Sequence, residues 1–237
     1  MALYFLSDVH LRLDRPERAR RLSRFVASLG ESDQLVVVGD LCDFWFASRE
    51  RRGWARRCEG LLSLSSFRSR GGVLTLLPGN HDGWLGPFFE SVLGTGFAGD
   101  AIDLTVGGVR YRATHGHRLG ARSPWKGAME SRTFLHSFAA LPGPLANVLD
   151  GLLDSTNKIT RDAIQTKHLA ILRRRADRIA DQTDCCVFGH IHVTHDDREG
   201  TPRMVLLGGW HDRSSYLRVD DHSAQLVVVE DGGDLGL

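Results

Sequence analysis

No apolar run in this sequence approaches the roughly 20 residues a helix needs to cross a bilayer, so any membrane contact is expected to be peripheral. The opening run from Met1 to Leu6 reaches Ser7-Asp8 too soon to be the apolar core of a signal peptide, and the expected location is cytoplasmic. Lysine is almost missing. Lys126, Lys158 and Lys167 are the only three among 30 basic residues, and the net charge of +1 gives no general attraction to nucleic acid. Cysteine is sparse as well: Cys42, Cys58, Cys185 and Cys186 form no CxxC pair, which points to a reduced compartment rather than a disulfide framework. There is no internal repeat, and only the Gly/Asp-rich tail from Asp231 reads as disordered.

What remains is an ordinary globular composition, 42% hydrophobic and 25% charged over 237 residues. That length fits a single domain, residues 1–237, with room for an inserted subdomain. Short apolar runs at Ala2 to Leu6, Leu35 to Val38 and Val73 to Leu77 read as buried strands, and each ends directly in a polar motif. Between them, Pro16 suits the first turn of a helix whose Leu22, Phe25, Val26 and Leu29 share one face, and Arg51 to Phe67 is expected to be helical. Strands alternating with helices predict an α/β sheet with function at the carboxyl ends of its strands.

The second half begins with a hairpin, Ala101 to Val106 and Val109 to Ala113 around Gly107-Gly108. From Leu119 to Thr183 no strand pattern is present. Leu169, Leu172, Ala176 and Ile179 have helical spacing there, and the stretch 119–183 reads as a mostly helical insertion. Strands are expected again at Asp184 to Phe188, Met204 to Leu207, Ser215 to Val219 and Gln225 to Val229.

Five segments concentrate metal-ligating residue types: Asp8-Val9-His10; Gly39-Asp40-Leu41-Cys42-Asp43; Gly79-Asn80-His81-Asp82; His115-Gly116-His117; and Gly189-His190-Ile191-His192. Carboxylates supply charge and bridging oxygens, and imidazoles supply neutral nitrogen, a donor set suited to divalent ions. In Asp-x-His and His-x-His an extended backbone would send both side chains to one face. A single Asp-x-His is more often chance than ligand. Five such segments, each after an expected strand, predict a dinuclear metal site. Two ions there would clamp a phosphoryl group and make water nucleophilic near neutral pH.

In all five motifs, from Asp8 to His192, the sequence resembles the calcineurin-like metallophosphoesterases. The resemblance implies a sandwich of two sheets flanked by helices, with two divalent metals between them. It implies that Asp8, His10, Asp40 and His192 hold one metal, and that Asp40, Asn80, His115 and His190 hold the other, with Asp40 as the bridge. His81 would stabilise the transition state or protonate the leaving group. His117 is a candidate further ligand of the first metal. Asp43 and Asp82 read either as partners that orient the catalytic histidines, Asp82 being placed in the catalytic set, or as turn-capping aspartates. His136, His168, His195, His211 and His222 are expected to be ordinary.

Three further features narrow the resemblance: Asp43-Phe44-Trp45, Leu207-Gly208-Gly209-Trp210-His211, and the helical insertion between His115 and His190. All three are similar to the UDP-2,3-diacylglucosamine pyrophosphatases of lipid A biosynthesis. That resemblance covers nearly the whole chain. It implies hydrolysis of a lipid-linked nucleotide sugar to UMP and a lipid monophosphate, Mn²⁺ as the metal, and an insertion that forms a lid over acyl chains at the inner membrane surface. Between Arg118 and Gln182 eleven Lys/Arg stand against six Asp/Glu, and the stretch from Phe134 to Leu153 is rich in Leu and Phe, a mix suited to an anionic lipid. Lys158, Arg161 and Lys167 are the candidate phosphate contacts. Two positions depart from the best-known members of that family, which carry Arg where this chain has His81 and Asp where it has His117. The alternatives are a metallophosphoesterase for another nucleotide diphosphate or phosphodiester, and a metal-free protein-binding scaffold. The second expects lost ligand positions, and here every one is filled.

Overall fold

A computed structural model describes residues 1–12, 15–43, 53, 56–119, 137, 145, 161–211 and 213–230, with backbone alone for 161–166 and 230. Two five-stranded sheets organise the described residues. In the first, β1 (Leu3–Leu6), β2 (Gln34–Val38) and β3 (Val73–Leu77) run parallel, and β9 (Arg213–Val219) and β10 (Ala224–Glu230) add antiparallel, in the order β10-β9-β1-β2-β3. The second has the order β4-β5-β6-β8-β7, built from β4 (Ala101–Val106), β5 (Val109–Thr114), β6 (Cys185–Phe188), β7 (Thr194–Asp197) and β8 (Arg203–Leu207). Within it β5, β6 and β8 are parallel.

Alternation along each strand decides which layer a side chain joins. Leu3, Phe5, Val36 and Val38 of the first sheet meet Tyr111, Ala113, Cys185, Val187, Val205 and Leu207 of the second in one buried cluster, which makes the pair a sandwich. Their neighbours Tyr4, Leu6, Leu35 and Val37 face the other way, against helices α1 (Pro16–Ser28), α2 (Glu59–Ser69) and α3 (Gly86–Leu93). On the far side, Leu172 and Ala176 of α4 (Arg161–Asp177) pack on Cys186, Phe188, Met204 and Leu206. The expected helix-flanked sandwich is the observed one.

One local expectation needs correction, and two elements have no expected counterpart. The helix expected from Arg51 to Phe67 is interrupted: Gly53 is helical, Arg56 and Arg57 form a turn, Cys58 is extended (φ −66°, ψ 119°), and a helix then runs from Glu59, whose acidic side chain complements the helix's positive end. α3 was not anticipated, although Pro87 in its first turn and the left-handed Gly94 at its end (φ 66°) are standard start and stop signals. β7, Thr-His-Asp-Asp, carries no apolar residue, so no strand pattern marks it. It forms by pairing antiparallel with β8 at the sheet edge, where Arg203 grips Asp196 at 2.8 and 2.9 Å.

Within 119–183, α4 is described and has the expected helical face. Its Arg173 ties it to the second sheet through Asp197 (3.3 Å) and the Pro202 carbonyl (2.8 Å). From residue 120 to 160 the insertion, apart from Ser137 and the exposed Leu145, lies outside the described residues, as do Phe44, Trp45, Lys158 and the tail from Asp231. Among the described residues no helix is long and apolar enough to cross a membrane.

Candidate metal centre

Every motif follows the carboxyl end of a parallel strand: Asp8 and His10 after β1, Asp40 after β2, Asn80 after β3, His115 after β5, His190 and His192 after β6. The loops after β1 and β2 stay hydrogen-bonded to each other beyond the strands, with His10 N–H to the Asp40 carbonyl at 3.0 Å and Leu11 N–H to the Leu41 carbonyl at 2.9 Å. Two short segments are thereby fixed side by side with their acidic and imidazole groups converging.

The way they converge differs from expectation. The backbone at Asp-x-His and His-x-His is not extended. Asp8, His10, Asp40, His190 and His192 have φ of 54°, 50°, 52°, 72° and 59°, and they are the only non-glycine residues with positive φ among those described. The left-handed region costs an ordinary residue about 1–3 kcal/mol and persists only where surroundings over-determine it. All five belong to the expected ligand set, so the strain is concentrated at the site. Space is limited too. A Cβ on Gly79 would fall 1.9 Å from Asp40 Oδ1, so only glycine lets the third motif approach the second.

Asp8 is fully buried, and its two oxygens are used differently. Oδ2 accepts hydrogen bonds from Ser7 Oγ (2.5 Å) and His190 N–H (2.9 Å). Oδ1 has no hydrogen-bond partner and lies 3.1 Å from His192 Nε2 and 3.8 Å from His10 Nε2. An orphaned, buried carboxylate oxygen is costly. Facing two imidazole nitrogens 3.2 Å apart, it is what a divalent ion would satisfy. Asp40 sits between two groups of donors. Its Oδ1 accepts from His81 N–H (2.8 Å), while Oδ2 lies 3.8 Å from His10 Nε2 and 3.2 Å from His115 Nε2. His115 Nδ1 donates to the Val38 carbonyl at 2.8 Å, which aims Nε2 at Asp40 and at Asn80 Oδ1, 3.2 Å away. The residues present fit two ions.

His81 is held on three sides: its N–H by Asp40, its carbonyl by Trp84 Nε1 (3.2 Å), and its Nδ1 by Asp43 Oδ1 (2.8 Å). Asp43 also reaches Arg12 at 3.3 Å. Asp82 is engaged differently. It accepts from Gly79 N–H (2.9 Å), Leu41 N–H (2.7 Å) and Cys42 N–H (3.3 Å), the bonds of a turn cap that staples the second motif to the third.

The electrostatics follow from burying carboxylates among imidazoles. Burial pushes Asp8, Asp40 and Asp43 upward, but the surrounding histidines outweigh it and hold all three below the usual carboxylate range. Asp82, whose burial is reinforced by the Asp40 charge, is pushed up to about 6. His115 is raised to about 9: burial lowers it, and Asp40 and then Asp8 more than reverse that. Against burial, His10 is raised by Asp43, then Asp8 and Asp40, and His81 by Asp40 and then Asp43. His117 goes the other way, to about 4, through burial and the neighbouring His115.

His117 stands with its ring 5.2 Å from His115 and 6.3 Å from His190, beside the second expected ligand set, and its buried Nδ1 has no partner. Two histidines expected to be ordinary are not remote. His211 has its ring 5.4 Å from His10 and 5.0 Å from His192, and His168 on α4 lies 5.9 Å from His190. Lys167 is exposed on α4, and for Arg161 only the backbone is described.

Buried carboxylates and imidazoles at the strand ends of a helix-flanked sandwich define a metal-dependent phosphoester hydrolase, and the chain belongs to the calcineurin-like phosphoesterase family, whose model matches residues 1–194. Among curated relatives, the UDP-2,3-diacylglucosamine hydrolase of Neisseria meningitidis serogroup A is 27% identical, covering 96% of this chain and 98% of its own. The enzyme of the same name from Aeromonas hydrophila is 25% identical over 92% of this chain and 94% of its own. Among solved structures, a hypothetical protein from Pyrococcus horikoshii shares the fold at a TM-score of 0.53, with 10% identity, 98% of this chain and 88% of that one covered.

Proposed function

We propose that the protein hydrolyses the pyrophosphate of UDP-2,3-diacylglucosamine to UMP and a lipid monophosphate, using two Mn²⁺ ions. The observation that carries the two-ion reading is Asp40 Oδ2, which lies between His10 and His115, one imidazole from each proposed ligand set. Asp8, His10, Asp40 and His192 would hold one ion, and Asp40, Asn80, His115 and His190 the other. When bound, such a pair supplies Lewis acidity at the phosphoryl group and makes water nucleophilic near neutral pH. His81, oriented by Asp43, stabilises the developing charge or donates a proton to the leaving oxygen. Asp82 acts on catalysis indirectly, by fixing the turn that carries Asn80 and His81.

The substrate rests on the relatives named UDP-2,3-diacylglucosamine hydrolase, which match this chain almost end to end. Residues 119–183 would form the lid over the acyl chains, with Lys158, Arg161 and Lys167 near the phosphates, and the protein would work in the cytoplasm against the inner membrane surface. One feature favours a second reading, a different nucleotide diphosphate: His81 and His117 stand where the best-known members of that family carry Arg and Asp. Assay of the purified protein with Mn²⁺ against UDP-2,3-diacylglucosamine and against small phosphodiesters separates the two. Rapid release of UMP from the lipid substrate is expected, and turnover of the small diesters alone would contradict the assignment.

A further inference from the structure

His211 belongs to none of the five motifs, yet the fold delivers it to the first ligand set. It follows β8 through Gly208-Gly209, and the loop is fastened on both sides of it. The Trp210 side chain is fully buried and donates from Nε1 to the Ser215 carbonyl at 2.8 Å, while Trp210 N–H donates to the Asp8 carbonyl at 3.0 Å. Arg21, itself 4% exposed, reaches from α1 to the carbonyls of Trp210 (2.6 Å) and His211 (3.1 Å). These two bonds from a buried guanidinium fix the backbone that carries His211. At Gly209 an added Cβ would lie 3.0 Å from His211 Nδ1 and 3.3 Å from His192 Cβ, so glycine there lets the two rings come together.

The result is a triangle of imidazoles. Ring centroids of His10, His192 and His211 are 4.9, 5.0 and 5.4 Å apart, and one nitrogen from each lies within 4.8 Å of the others. The unpartnered, fully buried Asp8 Oδ1 lies beside two of these rings, independently marking the place where a cation is wanted. We propose that His211 is a further ligand of the ion held by Asp8, His10 and His192. The inference rests on the two-ion reading above. A third imidazole makes that position richer in nitrogen than its neighbour, which should favour ions that prefer imidazole, such as Co²⁺, over Mg²⁺.

The test titrates metal-free full-length protein with Co²⁺, followed by calorimetry and by the visible absorption of the bound ion. Wild type, His211→Ala, His211→Gln and His222→Ala are compared. His222 is exposed on the β9–β10 turn and serves as the control. Wild type and His222→Ala are expected to bind two Co²⁺ with matching spectra. Both His211 variants should keep one of those affinities and weaken the other about tenfold or more, with a changed visible band. Two Co²⁺ sites of undiminished affinity and unchanged absorption in either His211 variant, shown folded by circular dichroism, would overturn the assignment while leaving the two-ion reading intact. Fewer than two Co²⁺ in wild type would overturn both.

Discussion

Asp43 Oδ1 lies 2.8 Å from His81 Nδ1, and this contact fixes the direction of the ring and adds to its proton affinity. Burial alone would lower the His81 pKa, but Asp40 and Asp43 reverse that and leave it raised. With His81 as the proposed acid, catalysis requires the protonated ring and is lost as pH rises through that pKa. Asp43→Asn removes one of the two charges that raise it. The alkaline limb of kcat should therefore move to lower pH, and kcat should fall more than KM changes. An unmoved alkaline limb in Asp43→Asn would take His81 out of the acid role.

Asp40→Ala removes the oxygen that lies between His10 and His115. Turnover should fall by at least about a hundredfold, beyond the effect of losing a residue that merely supports a ligand. Bound Mn²⁺, measured by elemental analysis after desalting, should drop below two per chain. Full metal content with full activity in this variant is the unfavourable result.

Metal binding should release protons. In the metal-free protein His115 titrates at about 9, so at pH 7 its Nε2 carries a proton that a metal must displace. Affinity for Mn²⁺ should accordingly rise with pH from 7 toward 9. Calorimetric titrations in buffers of different ionisation enthalpy count the protons directly. Identical apparent enthalpies in all buffers would show that none are released.

Trp210→Ala should destabilise the fold by about 3–5 kcal/mol, since it empties a fully buried site packed edge-on against Phe25. It also leaves the Ser215 carbonyl without its donor. Urea unfolding checks this, and a loss under about 1 kcal/mol would mean the loop is held by other contacts.

Much of this was legible in the sequence because strand and motif adjoin. Leu3 to Leu6, Leu35 to Val38 and Val73 to Leu77 are apolar runs that stop at Asp8, Asp40 and Asn80, so the sheet and the ligands are read from the same stretches. β7 escaped because an edge strand of Thr-His-Asp-Asp is stabilised by its partner and by Arg203, not by its own pattern. His211 and His168 escaped for a related reason. Each is a single histidine whose place at the site is set by long-range packing, by Arg21 and Trp210 in one case and by the docking of α4 in the other. The left-handed backbone at the Asp-x-His and His-x-His segments was hidden as well. Asp and His enter positive φ more often than most residues but still rarely, so their presence does not mark it.

The central claim is that Asp40 bridges two divalent ions, and anomalous diffraction from crystals grown with Mn²⁺ tests it most directly. The account predicts two peaks about 3.5–4 Å apart with Asp40 between them. One should be flanked by Asp8, His10 and His192, and the other by Asn80, His115 and His190. A single peak, or two peaks with Asp40 touching neither, would contradict it.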